Sequence, residues 1–241
     1  GMFYDSFTNA IYVTGATYGS FNGPGVEATD YSMCIFGVVQ LPELQWREKN
    51  IYGNENVNQA CNAISVTSID GKASAVIVGS TEANGLLTQL GTGNVATQYG
   101  MALDLATMDG KFQLQGGALM DSNIVQFPVA VESNEEGVVW IVSMISDDDK
   151  VTASNDKTNT QEYPNLTAGG IQKYGSKFRI VIERYELIRP GVADSDSVLE
   201  RTLQQSWWKP FETADQESIF LSDMIQIKGS GTLVVVGSTR G

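Results

Sequence analysis

The run ISVTSIDGKASAVIVGST, Ile64 to Thr81, decides how this chain folds. One apolar segment enters the pair Asp70-Gly71 and a second, AVIVG, leaves it. Asp-Gly between two such segments is a hairpin signal, because the tight turn needs positive φ, which glycine adopts without strain. The unit returns as PVAVESNEEGVVWIVSMIS (Pro128 to Ser146) and as DMIQIKGSGTLVVVGST (Asp223 to Thr239), and a clipped copy, MFYDSFTNAIYVTGAT, opens the chain. Aligned on the strand ends Gly15, Gly79, Ser143 and Gly237, the copies are offset by 64, 64 and 94 residues. Repetition on this scale is the mark of a propeller or solenoid.

Outward from these hairpins, each unit reads as four strands, A to D. The second unit has A near Ala63–Thr67, B at Ala73–Gly79, C at Tyr99–Thr107 and D at Lys111–Gly116, with Met108-Asp109-Gly110 as the C–D turn. The first has A reduced to Met2–Asp5, B at Ala10–Gly15, C at Tyr31–Leu41 and D at Glu43–Lys49. The third has A at Val129–Ser133, B at Val138–Ile145, C at Lys177–Leu187 and D within Glu200–Trp208. The last supplies A at Met224–Lys228 and B at Thr232–Gly237. Unit boundaries fall at about 1–53, 54–118, 119–209 and 210–241. In Asp194–Trp208, Ser197 and Glu200 have capping-box spacing, but Leu199, Leu203 and Trp207 also share one face of a strand. Position in the repeat decides for the strand.

The B strands are nearly continuous apolar runs of five to eight residues bounded by Gly, Asn or Asp. A sheet with one wet face alternates apolar and polar residues, so continuous runs imply burial on both faces. The reading is therefore all-β: a β-propeller-like array of four-stranded antiparallel blades forming one domain, an open arc cut from a longer chain. Flanking blades of that longer chain would cover the terminal faces. Aspartate at Ile77 or at Val235 should then cost several kcal/mol, since it strands a charge between sheets.

Charge and composition exclude several functions. With 28 acidic and 15 basic residues the net charge is −13, the wrong sign for nucleic acid or an anionic membrane surface. The absence of histidine removes the commonest general base and the His-containing triads and zinc sites. Cys34 and Cys61 form no CxxC, and their placement on a C strand and beside an A strand favours two buried free thiols over a disulfide. No apolar run reaches the length of a membrane span.

The remaining motifs favour bland readings. Asp147-Asp148-Asp149, with Asn155 and Asp156, offers oxygen ligands but lacks the calcium-loop spacing, so it reads as a solvated acidic loop. Gly91-Thr-Gly93-Asn-Val-Ala96 has the letters of a dinucleotide fingerprint, yet a strand pattern follows it where a helix is required. Trp207-Trp208 could stack on a sugar, but neighbours pointing to opposite faces of a strand put at least one in the core. Asn165-Leu-Thr167 is a glycosylation sequon. No catalytic, cofactor-binding or metal residue is assigned, and no cofactor is implied.

The segment LQGGALMDSNIVQFPVAVESNEEGVVWIVS, Leu114 to Ser143, resembles the bacterial β-propeller repeat (SBBP) family. The core of that repeat runs roughly LGG-x-G-x-D…A-I-A-V-D-x-x-G-N-x-Y-V-T-G. The junction NIYGNENVNQACNAISVTSIDGKASAVIVGST is similar, as is NAIYVTGAT at the start. The likeness covers the unit junctions and hardly touches the B–C connections. The chain departs from the pattern in keeping the second glycine of the pair only at Gly117 and in its longer spacing. The resemblance implies a propeller, of a kind common in secreted or surface proteins, and brings no catalytic residues with it.

The B–C connections (Thr17–Asp30, Ser80–Gln98 and Ser146–Lys173) are long and unequal, while A–B turns are tight. Unequal loops on a rigid scaffold are where recognition sits. The expectation is a non-catalytic module, extracellular or on the cell surface, binding a protein or glycan partner through the B–C loops. The alternative is part of a propeller-type carbohydrate-active enzyme working through two carboxylates.

Overall fold

In the computed structural model the first hairpin pairs Met2–Asp5 (β1) with Ala10–Thr17 (β2). The second pairs Gln59–Ile69 (β5) with Lys72–Thr81 (β6). The third pairs Val125–Ser133 (β9) with Val138–Ser146 (β10), and the fourth Ser218–Ile227 (β13) with Thr232–Arg240 (β14). In each, the residue just before the second strand is left-handed: Asn9 (φ 51), Gly71 (φ 75), Gly137 (φ 79) and Gly231 (φ 67). Asparagine and glycine are the residues that tolerate this region, which is why the turns fall where they do. The third turn is held further by Asn134, whose Oδ1 accepts from the amides of Glu136 and Val138, both at 3.0 Å.

Three of the four hairpins, all but the first, also share a β-bulge. Asn62, Val129 and Ser222 are the extra residues, and each falls opposite the step into the strand-end residue, Val78/Gly79, Val142/Ser143 and Val236/Gly237. A bulge breaks the ladder locally and steepens the twist, so one repeated in the same place bends successive sheets alike. It also accommodates Pro128 on β9, an edge strand.

Three hairpins extend into four-stranded antiparallel meanders. Met33–Gln40 (β3) and Gln45–Tyr52 (β4) complete the first sheet, and Thr97–Asp104 (β7) and Gly110–Leu114 (β8) the second. Phe178–Ile188 (β11) and Val198–Trp207 (β12) complete the third, so the ambiguous Asp194–Trp208 segment contains a strand. β13 and β14 form a two-stranded fourth sheet. The structure describes residues 1–18, 32–52, 59–69, 71–81, 97–106, 110–114, 125–146, 178–188, 198–207, 218–227 and 230–240. Among them there is no helix and no closed barrel.

The core consists of three layers between successive sheets. Tyr12, Phe36 and Val38 of the first sheet meet Ile64, Ile77, Met101 and Leu103 of the second. Val76, Val78 and Ala102 on the second sheet's other face meet Val139, Ile141 and Tyr185 of the third. Val142, Met144, Ile180 and Ile182 then meet Leu221 and Met224 of the fourth. β6 is thus buried on both faces from Ser74 to Ser80, as its continuous apolar run requires. Side-chain hydrogen bonds tie β5 to the next sheet: Asn62 Nδ2 donates to the Pro128 carbonyl at 3.0 Å, and Ser65 Oγ meets Ser133 Oγ at 2.7 Å. Thr67 Oγ1 donates to the Asn134 carbonyl.

Two expectations are corrected. Cys34 and Cys61 are buried but not free: they form a disulfide, with Cα atoms 5.0 Å apart, joining β3 to β5. Their positions in separate sheets suggested separation, but stacking the first sheet on the second brings the inner face of β3 against β5. The second correction concerns β14. Val235 packs toward the third sheet, while Val234 and Val236 on the opposite face are exposed. An apolar run implies two covered faces only where a sheet lies on each side, and none of the described residues covers this one.

Closing a loop over 27 residues, the disulfide should stabilise the fold by about 3 kcal/mol. The double variant Cys34→Ala, Cys61→Ala should show that loss in denaturant unfolding, and an unchanged midpoint would contradict it. Ile77→Asp should cost several kcal/mol or abolish folding. Val236→Asp should cost about 0.5 kcal/mol or less in dilute solution, because its side chain meets water. Equal losses for these two would contradict the one-sided burial of β14.

Candidate functional site

The described residues bring one group of ionisable side chains together, at the joint between the third and fourth sheets. Its base is a row across the third sheet, in which Glu132 of β9 pairs with Trp140 of β10, and Trp140 with Arg184 of β11. Period-two alternation puts the three on one face, the face that packs on β13 and β14. Trp140 joins the edge of that apolar layer. The Arg184 guanidinium lies over the Trp140 ring, 6.0 Å from its centroid, and its Nη1 donates to Glu186 Oε1 at 2.7 Å. Trp140 Nε1 is buried without a hydrogen-bond acceptor.

From the fourth sheet Asp223, next to the bulged Ser222, places its charge near Glu132. Burial and then the Asp223 charge push the Glu132 carboxyl up to about 6. Burial disfavours the anion, and a like charge nearby disfavours it further. Glu132 therefore takes up a proton in mildly acidic solution, where an ordinary glutamate would remain ionised. Chemically this is a pH-responsive contact between two sheets.

A second carboxylate, Glu183, is fully buried on β11, on the face that packs against the second sheet. It shares a strand face with Tyr185 and Leu187, two and four residues on, so alternation groups it with two large side chains of the core. Glu132 carries no such mark: only the approach of β13 desolvates it.

Of the residues weighed from the sequence, Trp207 ends β12 opposite Ile180. Gly91 to Ala96, Asp147 to Asp149, Asn155, Asp156, Asn165 to Thr167 and Trp208 lie outside the described residues, as do most of the B–C connections. Among the described residues no three His, Cys, Asp or Glu side chains are grouped to hold a metal ion. Met2 and Tyr4 on β1, Ile225 and Ile227 on β13, and Val234 and Val236 on β14 are apolar and exposed.

The sign of the Glu132 effect follows from linkage. Its native pKa lies above the unfolded value of 4.5, so the native state binds more protons between those values and stability falls as pH rises from about 4.5 to about 6. Discounted for solvent screening at this half-open position, the loss is about 1 kcal/mol. Glu132→Gln should remove this slope and be the more stable form at neutral pH, with Asp223, Arg184 and Glu186 unchanged. Denaturant midpoints for the two proteins across that window check it, and parallel pH profiles would contradict it.

No family model matches this chain, and no curated protein matches it.

Proposed function

We propose that this chain is a β-propeller-type repeat module of the bacterial β-propeller repeat kind, a non-catalytic scaffold that binds a protein or glycan through its B–C loops. The observation that carries the reading is the constancy of the hairpin. A left-handed residue precedes every second strand, and the bulge sits at one register in three hairpins. Units built alike and stacked alike make a rigid scaffold, and what varies between them is the B–C connection. The Cys34–Cys61 disulfide supports an oxidising, extracellular or surface location.

One observation favours a second reading, a carbohydrate-active enzyme using carboxylates. Glu132 holds its proton to about 6, pushed up by burial and then by the nearby Asp223 charge, and a carboxyl that keeps its proton in mildly acidic solution is what a general acid acting on a glycoside needs.

A glycan array probed with the 241-residue protein separates the readings. Replacing residues 19–30, 82–96 and 147–173 by short Gly-Ser linkers should abolish binding while leaving thermal unfolding cooperative. Binding that survives all three replacements would overturn the loop assignment. Hydrolysis of a bound glycan, lost in Glu132→Gln, would establish the enzyme instead.

A further inference from the structure

Both cysteines of this chain are engaged in one bond, and neither meets solvent: Cys34 is 0% and Cys61 2% exposed. Cys34, Phe36 and Val38 alternate along one face of β3, and all three are buried in the layer against the second sheet. Cys61 enters the same layer from β5. Ile64, past the bulge at Asn62, lies in it with its ladder partner Ile77 of β6. Two residues ahead of each cysteine the same two segments meet again. Ser32 Oγ donates to the Gln59 carbonyl and the Gln59 amide donates to the Ser32 carbonyl, each at 2.9 Å, and both residues are buried. The bond is thus bounded by apolar side chains toward one end of the strands and by a buried polar clasp toward the other.

We propose that the Cys34–Cys61 disulfide is a lock that external thiols open only after the first sheet has lifted from the second. Thiol–disulfide exchange begins with a thiolate attacking one sulfur and expelling the other as a thiolate. A second thiolate then attacks the external sulfur of the mixed disulfide and expels the remaining cysteine. Two cysteine thiols are left in the protein, the reductant leaves as its own disulfide, and the protons its thiols gave up end on the cysteines. The first attack needs access to a sulfur, and a charged thiolate entering an apolar layer carries a large desolvation cost. With both cysteines sealed in that layer, exchange waits for it to open. Opening there need not disturb the rest, because the other two layers are built from different residues. The bond therefore survives contact with thiols that reduce an exposed disulfide, and its reduction reports the parting of two particular sheets. It ties the strand after the first B–C connection to the start of the second unit, whatever that connection binds.

The test is reduction of the 241-residue protein by excess dithiothreitol, with freed thiols trapped by iodoacetamide and counted by mass. Reduction under native conditions should be at least about a hundredfold slower than in guanidinium chloride, where both sulfurs are open. Phe36→Ala, a cavity in the layer that holds Cys34, should speed native reduction at least about tenfold. Met144→Ala, a cavity between the third and fourth sheets, should change it by less than about twofold, because that joint opens separately. Thermal unfolding establishes that each variant is folded; should Phe36→Ala not fold, the smaller cavity of Val38→Ala replaces it. Equal rates in native and denaturing buffer would overturn the proposal, as would no acceleration in the β3 variant. Equal acceleration by Met144→Ala would overturn it too, since the gate would then be unfolding of the whole protein.

Discussion

A strand whose side chains are apolar on both faces has to be covered on both, and in this protein that requirement organises everything else. β6 is the clearest instance: Val76 and Val78 point into one layer, Ala75 and Ile77 into the other. Because alternate residues of a strand point oppositely, a single apolar run commits the sheet to two neighbours and fixes which residues face which. A slip of one residue in any ladder would exchange the two layers. The shared bulge protects the register by placing an irregularity where only one alignment accommodates it.

Stacking sheets this closely brings backbone edges near one another, and polar side chains resolve the conflict. Asn62, Ser65 and Thr67 on β5 reach acceptors or partners on β9 and the turn beyond it. Between the first two sheets, Ser32 Oγ donates to the Gln59 carbonyl at 2.9 Å, and the Gln59 amide donates to the Ser32 carbonyl at 2.9 Å. Buried polar groups left unpaired are costly, so these contacts select one relative placement of neighbouring sheets. The disulfide adds a covalent constraint at the same junction. Glu132 is the exception, a half-buried carboxyl left near a like charge. This makes the joint between the third and fourth sheets responsive to mild acidity.

The sequence by itself determined the strands and their order. Turn chemistry at Asn9, Gly71, Gly137 and Gly231 and the uninterrupted apolar runs are local signals, since φ preference and side-chain alternation act within a few residues. Even β12, where helix and strand patterns coincide, was legible from its place after β11. What only the tertiary structure decided are distances between elements remote in the chain. It brought β3 over β5 and so joined Cys34 to Cys61, 27 residues apart. It set Asp223 against Glu132, and it left Val234 and Val236 in water although their run reads like that of β6. A strand's own residues specify which faces need cover. Whether a given face receives it depends on where another sheet lies, and no local pattern carries that information.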